Sequence, residues 1–286
     1  MRTDVCVEVQ MSVNKLIKFY QFQAQPSFLN NFGSRTTFDI LCDFLKPSST
    51  YTINYENETY CIDIIDIQNS SIFGACSREN AVKITNFWQV RNNKTLERTP
   101  YTSEMSDSHL ETYTYFLIDT KKNRMATIMQ KSISSLHNIL IEFIYKESNN
   151  MLQIYIAPEK IKDVKKAAKN LKQSNWLKLQ FAKGRSKENI APLVETLGDF
   201  EYESYSVNIK LSQKDDSFID RVFSVSHDKK DDFTSVQLIG KNEYGLDETI
   251  NFIESVYTKN MPFELTEDSA TNIDYIKQRL IDALSQ

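Results

Sequence analysis

The second half of this chain is written twice. MLQIYIAP (151–158), EKIKDVKKAAKNLK (159–172) and WLKLQFAKG (176–184) read as strand, helix, strand, and YSVNIKLS (205–212), KDDSFIDRVFSVSH (214–227) and FTSVQLIGK (233–241) repeat that order. An internal repeat restricts the fold more than any single motif, because each copy must bury its apolar side against the other. The strands alternate at period two: Leu152, Ile154 and Ile156, then Leu177, Leu179 and Phe181, then Tyr205, Val207 and Ile209, then Val236 and Leu238. Such alternation makes one face of a four-stranded sheet apolar, and two helices can cover it. The order β-α-β, linker, β-α-β predicts a ferredoxin-like (βαββαβ) domain. Within and beyond it, NIAPLVETLG (189–198), ETINFIESVY (248–257) and NIDYIKQRLIDAL (272–284) are predicted as helical, the last with Ile273, Ile276, Leu280, Ile281 and Leu284 on one stripe.

The first half is richer in strands. KLIKFYQFQ (15–23) alternates as a strand, and SRTTFDILCDFL (34–45) spaces Phe38, Leu41 and Leu45 helically, with Ser34, Thr36 or Thr37 as N-cap and Pro47 beyond the end. Residues 48–56 and 59–67 flank a turn at Asn57-Glu58 and predict a hairpin, which SIFGACSRE (71–79) and VKITNFWQV (82–90) extend. A polar stretch, 91–109, is expected to be an exposed loop. LETYTYFLID (110–119) and RMATIMQK (124–131) predict a second hairpin, followed by an amphipathic helix at 134–146. The predicted class is therefore α+β: a mostly antiparallel β domain with two helices over 1–148, and the ferredoxin-like domain plus terminal helices over 149–286, divided at Asn149-Asn150.

Several function classes lack their residues. No run of 18 apolar residues occurs, and MRTDVCVEVQ lacks the basic-then-apolar order of a signal peptide, so a cytoplasmic protein is expected. Cys6, Cys42, Cys61 and Cys76 form no C-x-x-C pair and predict reduced, packed thiols. His109 reads as a loop residue, His137 as a helix-surface residue and His227 as a charge at a helix C-terminus. G-x-S-x-G, H-E-x-x-H and glycine-rich phosphate loops are absent from the sequence, so neither a catalytic constellation nor a cofactor is expected.

The charge distribution is uneven. Residues 158–187 hold ten Lys/Arg and two acids, a net +8, which leaves −12 for the rest of a chain whose total is −4. The second copy, 205–241, is neutral, with six of each sign. The excess belongs to one copy of the repeat and not to the fold. On a helical wheel Ile161, Val164, Ala168 and Leu171 face the sheet, while Lys162, Lys165, Lys166, Lys169 and Lys172 share the neighbouring stripe. Lys160 precedes them, Lys178 points outward beside Trp176, and Lys183, Arg185 and Lys187 occupy the next loop. Five like charges on one stripe repel unless an anion compensates, whereas an ordinary solvated face mixes signs. A phosphate backbone is the natural anion, since each neutralised phosphate releases counterions without any sequence being read. Lys, a point charge, suits that mode better than the guanine-reading Arg fork. These ten residues are the candidate nucleic-acid site.

SYSVNIKLSQKDDSFIDRVFSVSHDKKDDFTSVQLIGKNEYGLDETI (204–250), with its charged turn Lys241-Asn242-Glu243-Tyr244-Gly245, resembles the C-terminal part of the RexA-type phage-exclusion proteins of temperate phages. Residues 110–144 look like the same family's strand-turn-strand-helix unit and 50–67 like its early hairpin. The resemblance implies a homodimeric, sequence-nonspecific DNA-binding protein of abortive infection, an antiviral defence, that signals to a membrane-protein effector. The chain departs from those relatives in being less basic overall and in its neutral second repeat, so binding falls to the first repeat. Two other classes compete. A metal-dependent nuclease needs converging carboxylates, and Asp63 and Asp66, at i,i+3 on a strand, face opposite sides unless a bulge intervenes. Asp119 and Glu142 read as a turn residue and a solvated position. An interaction adaptor would use aromatic anchors, and Tyr113 and Tyr115 share one face of their strand.

Overall fold

The computed structural model describes residues 11–27, 34–79, 89–91, 98–100, 111–182, 204–265 and 272–285. The class is α+β with mostly antiparallel strands. The chain forms two compact units that interleave along the sequence, one of residues 20–157 and 276–286, the other of 1–19 and 158–275. The boundary expected at Asn149-Asn150 is a turn with both residues at positive φ, and the chain changes unit at Ala157-Pro158.

The larger-sheet unit, 20–157 with 276–286, is built on consecutive antiparallel hairpins. β2 (Ser49–Tyr55) pairs β3 (Glu58–Gln68), which pairs β4 (Ser71–Glu79), which pairs β7 (Glu111–Asp119), which pairs β8 (Arg124–Ile128). The second half of β1 (Met11–Pro26) follows β8, and β9 (Leu152–Pro158) also pairs β1. The short strands β5 (Gln89–Arg91) and β6 (Arg98–Pro100) pair with each other. Helices α1 (Thr37–Phe44) and α2 (Leu136–Glu147) supply Leu41, Ile139, Leu140 and Phe143 to a core shared with Phe22, Ile62, Ile64, Ile72, Phe116 and Met125. Thr36 caps α1 through a capping box with Asp39, which selects it among the three candidate N-caps. Glu56 and Asn57 turn the first hairpin at positive φ, and Asn123 the second. The strand expected at 82–90 lies largely outside the described residues.

The other unit contains a four-stranded antiparallel sheet in the order β11-β10-β12-β13, from β10 (Gln173–Phe181), β11 (Tyr205–Lys210), β12 (Phe233–Lys241) and β13 (Asp247–Asn251). The first half of β1 pairs antiparallel with β14 (Thr258–Leu265). Both β11 and β12 run antiparallel to β10, so β11-α4-β12 is a split β-α-β unit with β10 between its strands. Helix α4 (Asp216–Asp228) and α3 (Val164–Asn170) lie on one face, where Ala168, Leu171, Ile219, Leu238 and Ile250 form the core.

Two expectations about this unit change. Alternation predicts β9 in the four-stranded sheet, but Leu152 and Ile156 are buried in the core of the larger-sheet unit, and β13 takes the fourth place. The order expected for a ferredoxin-like sheet is thus kept only in its second half. Alternation reports which side of a strand is buried, not which sheet accepts it. The helix expected over 248–257 is absent. Ile250 instead pairs Leu238 across the β12–β13 ladder, and the Asn251 side chain accepts from the backbone N–H groups of Ile253 and Glu254 to end the strand. The helix read at 272–284 is present as α5 (Ile273–Ser285).

Candidate nucleic-acid interface

The basic segment enters this unit through a backbone bridge between Lys160 and Val256 and leaves it along β10. Its helix is shorter than the periodicity implied. Asp163 caps α3 by accepting from the Lys166 backbone N–H at 2.8 Å, and Leu171, in extended conformation, ends it. Lys162 and Lys172 therefore flank the helix and do not ride on it.

The expected five-lysine stripe divides. Lys165 and Lys169 turn toward α4, where both form ion pairs with Asp220 Oδ1, at 3.0 and 2.7 Å. The Lys169 and Lys165 ammonium groups hold the Asp220 carboxyl below its ordinary range, and Asp220 raises Lys169 in return. Lys165 also stands 6.0 Å from the centre of the Phe223 ring. Lys214 donates to the Lys169 carbonyl and lies 3.7 Å from Asp216. These contacts belong to an electrostatic clasp between the helices. Lys162, Lys166 and Lys172 are exposed, and none of them forms a salt bridge among the described residues.

Lys178 lies elsewhere. Along β10, Leu177, Leu179 and Phe181 face the helices, so Lys178 with Trp176 and Gln180 faces the opposite side of the sheet. A single strip joining Lys178 to the lysines around α3 is thereby excluded. Lys183, Arg185 and Lys187 lie outside the described residues. On the helix side, an apolar cavity of about 230 Å³ sits between α4 and the sheet, lined by Leu177, Leu179, Phe218, Val222, Val225 and Val236.

The carboxylate pair weighed for metal chemistry does change its relation. A bulge between Ile64 and Asp66 sets Asp63 opposite Ala75 and Asp66 opposite Phe73, so both aspartates fall on one face. Each is already engaged: Asp63 accepts from the Thr50 hydroxyl at 2.5 Å, and Asp66 from Lys277 and from the Gln68 amide. Among the described residues no group of three His, Cys, Asp or Glu is placed to hold a metal ion. His137, expected on a helix surface, is instead half-buried and stacked on Tyr20, with ring centres 5.3 Å apart.

Sequence reasoning missed Asp220, because its neutralising role depends on α4 lying against α3. It also passed over Lys210, which sits directly across from Trp176 in the β10–β11 ladder. Among the described residues no helix is long and apolar enough to cross a membrane. No family model and no curated protein matches the chain.

Proposed function

We propose that this chain is a sequence-nonspecific DNA-binding protein of phage exclusion, without enzymatic activity of its own, that contacts phosphates through the basic segment of its first repeat. The observation that carries the reading is the run of exposed ammonium groups at Lys162, Lys166 and Lys172, free of salt bridges among the described residues, in a stretch of net +8. Neighbouring carboxylates are committed elsewhere: Asp163 to the α3 cap, Asp220 to Lys165 and Lys169, and Glu243, whose carboxylate also feels Lys172, to Lys259 at 2.6 Å. Point charges without a carboxylate partner attract a polyanion without reading bases. The defence role, the homodimer and the membrane-protein effector follow from the RexA-type resemblance of 50–67, 110–144 and 204–250, and the cytoplasmic setting from the apolar pattern of the sequence. A second reading, an interaction adaptor, draws on Tyr113, which is exposed and edge-on to Tyr115.

The test is duplex binding by a Lys162→Glu, Lys166→Glu, Lys172→Glu variant over a salt series. The reading expects weaker binding and a log-log salt slope shallower by about 2–3, since each lost phosphate contact removes ~0.9. Unchanged affinity and slope would reject this site.

A further inference from the structure

On the face of the four-stranded sheet opposite α3 and α4 no α-helix of this unit lies among the described residues, and the side chains there are mostly polar. Alternation and register place Trp176, Lys178 and Gln180 of β10 on it, opposite Lys210, Asn208 and Ser206 of β11. Gln237 continues the Lys178 row on β12 and Asn251 extends it on β13. All six of the β10 and β11 side chains are exposed, and Trp176 keeps 37% of its surface open. On the other side Asp216 and Asp220 belong to α4, with Asp215 as its N-cap. Asp247, at the far edge of the open face, is paired with Lys241 at 2.9 Å. On this face Trp176 lies across from Ile239 of β12, and beside that pair stand two lysines without salt bridges among the described residues and a field of amides and hydroxyls.

A large aromatic ring left open on a polar sheet face loses apolar burial, and it gains most from a ligand that is itself flat. The two lysines flank the ring: Lys210 stands directly across from Trp176, Lys178 is two residues along the strand, and diagonal Cβ atoms in such a ladder lie ~7–8 Å apart. A plane for a base with a cation on either side matches the backbone of an unpaired nucleic-acid strand. A duplex keeps its bases stacked inside and cannot use the ring. We infer that this face docks single-stranded DNA, with Trp176 stacking on a base and Lys178 and Lys210 meeting phosphates. The inference rests on the nucleic-acid reading above and adds a second surface, distinct from the lysines around α3, for displaced or unpaired strands.

The experiment titrates the full chain with a labelled oligothymidylate of about 16 nucleotides, a length within the range one such surface spans, and with a duplex of equal length. Trp176→Ala should weaken oligothymidylate binding roughly 5- to 150-fold, the loss of one stack, and leave duplex binding unchanged. Trp176→Phe, which keeps a ring, should restore most of it, and Lys178→Gln with Lys210→Gln should flatten the salt dependence for the single strand alone. Oligothymidylate should quench the fluorescence of the wild-type protein and not that of Trp176→Phe, which retains Trp88; this readout stands even where the alanine variant folds poorly. Equal losses for both ligands, or single-strand binding indifferent to Trp176, would overturn the inference while leaving the duplex reading intact. Stronger binding of oligouridylate would move the surface from DNA to RNA and overturn the assignment. Absence of binding to every oligonucleotide would remove both readings together.

Discussion

Asp220 decides how much of the positive charge is available. It bonds two of the five stripe lysines, and hydrogen bonds from Lys169 and Lys165 depress its pKa. A depressed carboxylate contributes stability above its unfolded value, near 3.8, and loses that contribution as pH falls through the lower folded value. Asp220→Asn should therefore lower the melting temperature slightly at neutral pH, with the difference from wild type vanishing in strong acid. In binding assays it should act in the opposite direction, strengthening DNA affinity and steepening the salt slope because two lysines are released. Glu248 carries the reverse sign. Burial pushes its pKa up, against a hydrogen bond from Asn242 that lowers it, so the folded state favours the protonated form. That stability is complete below the ordinary 4.5 and is lost as pH rises through the folded value. Glu248→Gln should raise stability at neutral pH and gain nothing below that range, as thermal melts at several pH values would record. Burial raises the Cys76 thiol to about 12, so at about pH 8 it stays protonated and inert. Alkylation of the native protein, followed by mass spectrometry, should modify the half-buried Cys42 and Cys61 before Cys76.

Elements were legible wherever local chemistry sets them. Thr36 is one of three N-caps the sequence offers and Asp39 selects it, the turn expected at Asn57-Glu58 falls one residue earlier at Glu56-Asn57, Asn123 turns the second hairpin, and alternation over 49–67 and 111–128 fixes both. What remained illegible depends on partners distant in sequence. β9 has the alternation of a strand in either sheet, and its place follows from Leu152 and Ile156 meeting the core of the larger-sheet unit. The lysine stripe was sound as a wheel, yet α3 ends at Asn170 and α4 brings Asp220 to its side, which no spacing within 160–172 reveals. Gly240 shows the same dependence on context. A Cβ there would collide with the Gln173 backbone carbonyl and press on Leu171, beside the irregularity in the β10–β12 ladder at Ser174/Trp176. Gly240→Ala should cost about 1–3 kcal/mol of unfolding free energy, in the range of overpacking, measured by urea denaturation. If that cost were absent, the close β10–β12 approach would be wrong.

For the whole molecule the governing contrast is between −4 overall and +8 within 158–187. Under the proposed reading a polyanion is repelled by the net negative remainder of the chain and held where unpaired lysines meet phosphate, so salt should weaken binding steeply. The α3 surroundings and the sheet face opposite α3 and α4 divide the unpaired lysines described between two sides of one unit, so the two surfaces should respond to different variants. The most direct test of the central claim is the affinity of the unmodified protein for two duplexes of equal length and unrelated sequence, followed across a salt series. The account predicts equal affinities and a log-log slope near −0.9 for each phosphate contacted. Affinities that differ by sequence, or that hold steady as salt rises, would contradict it.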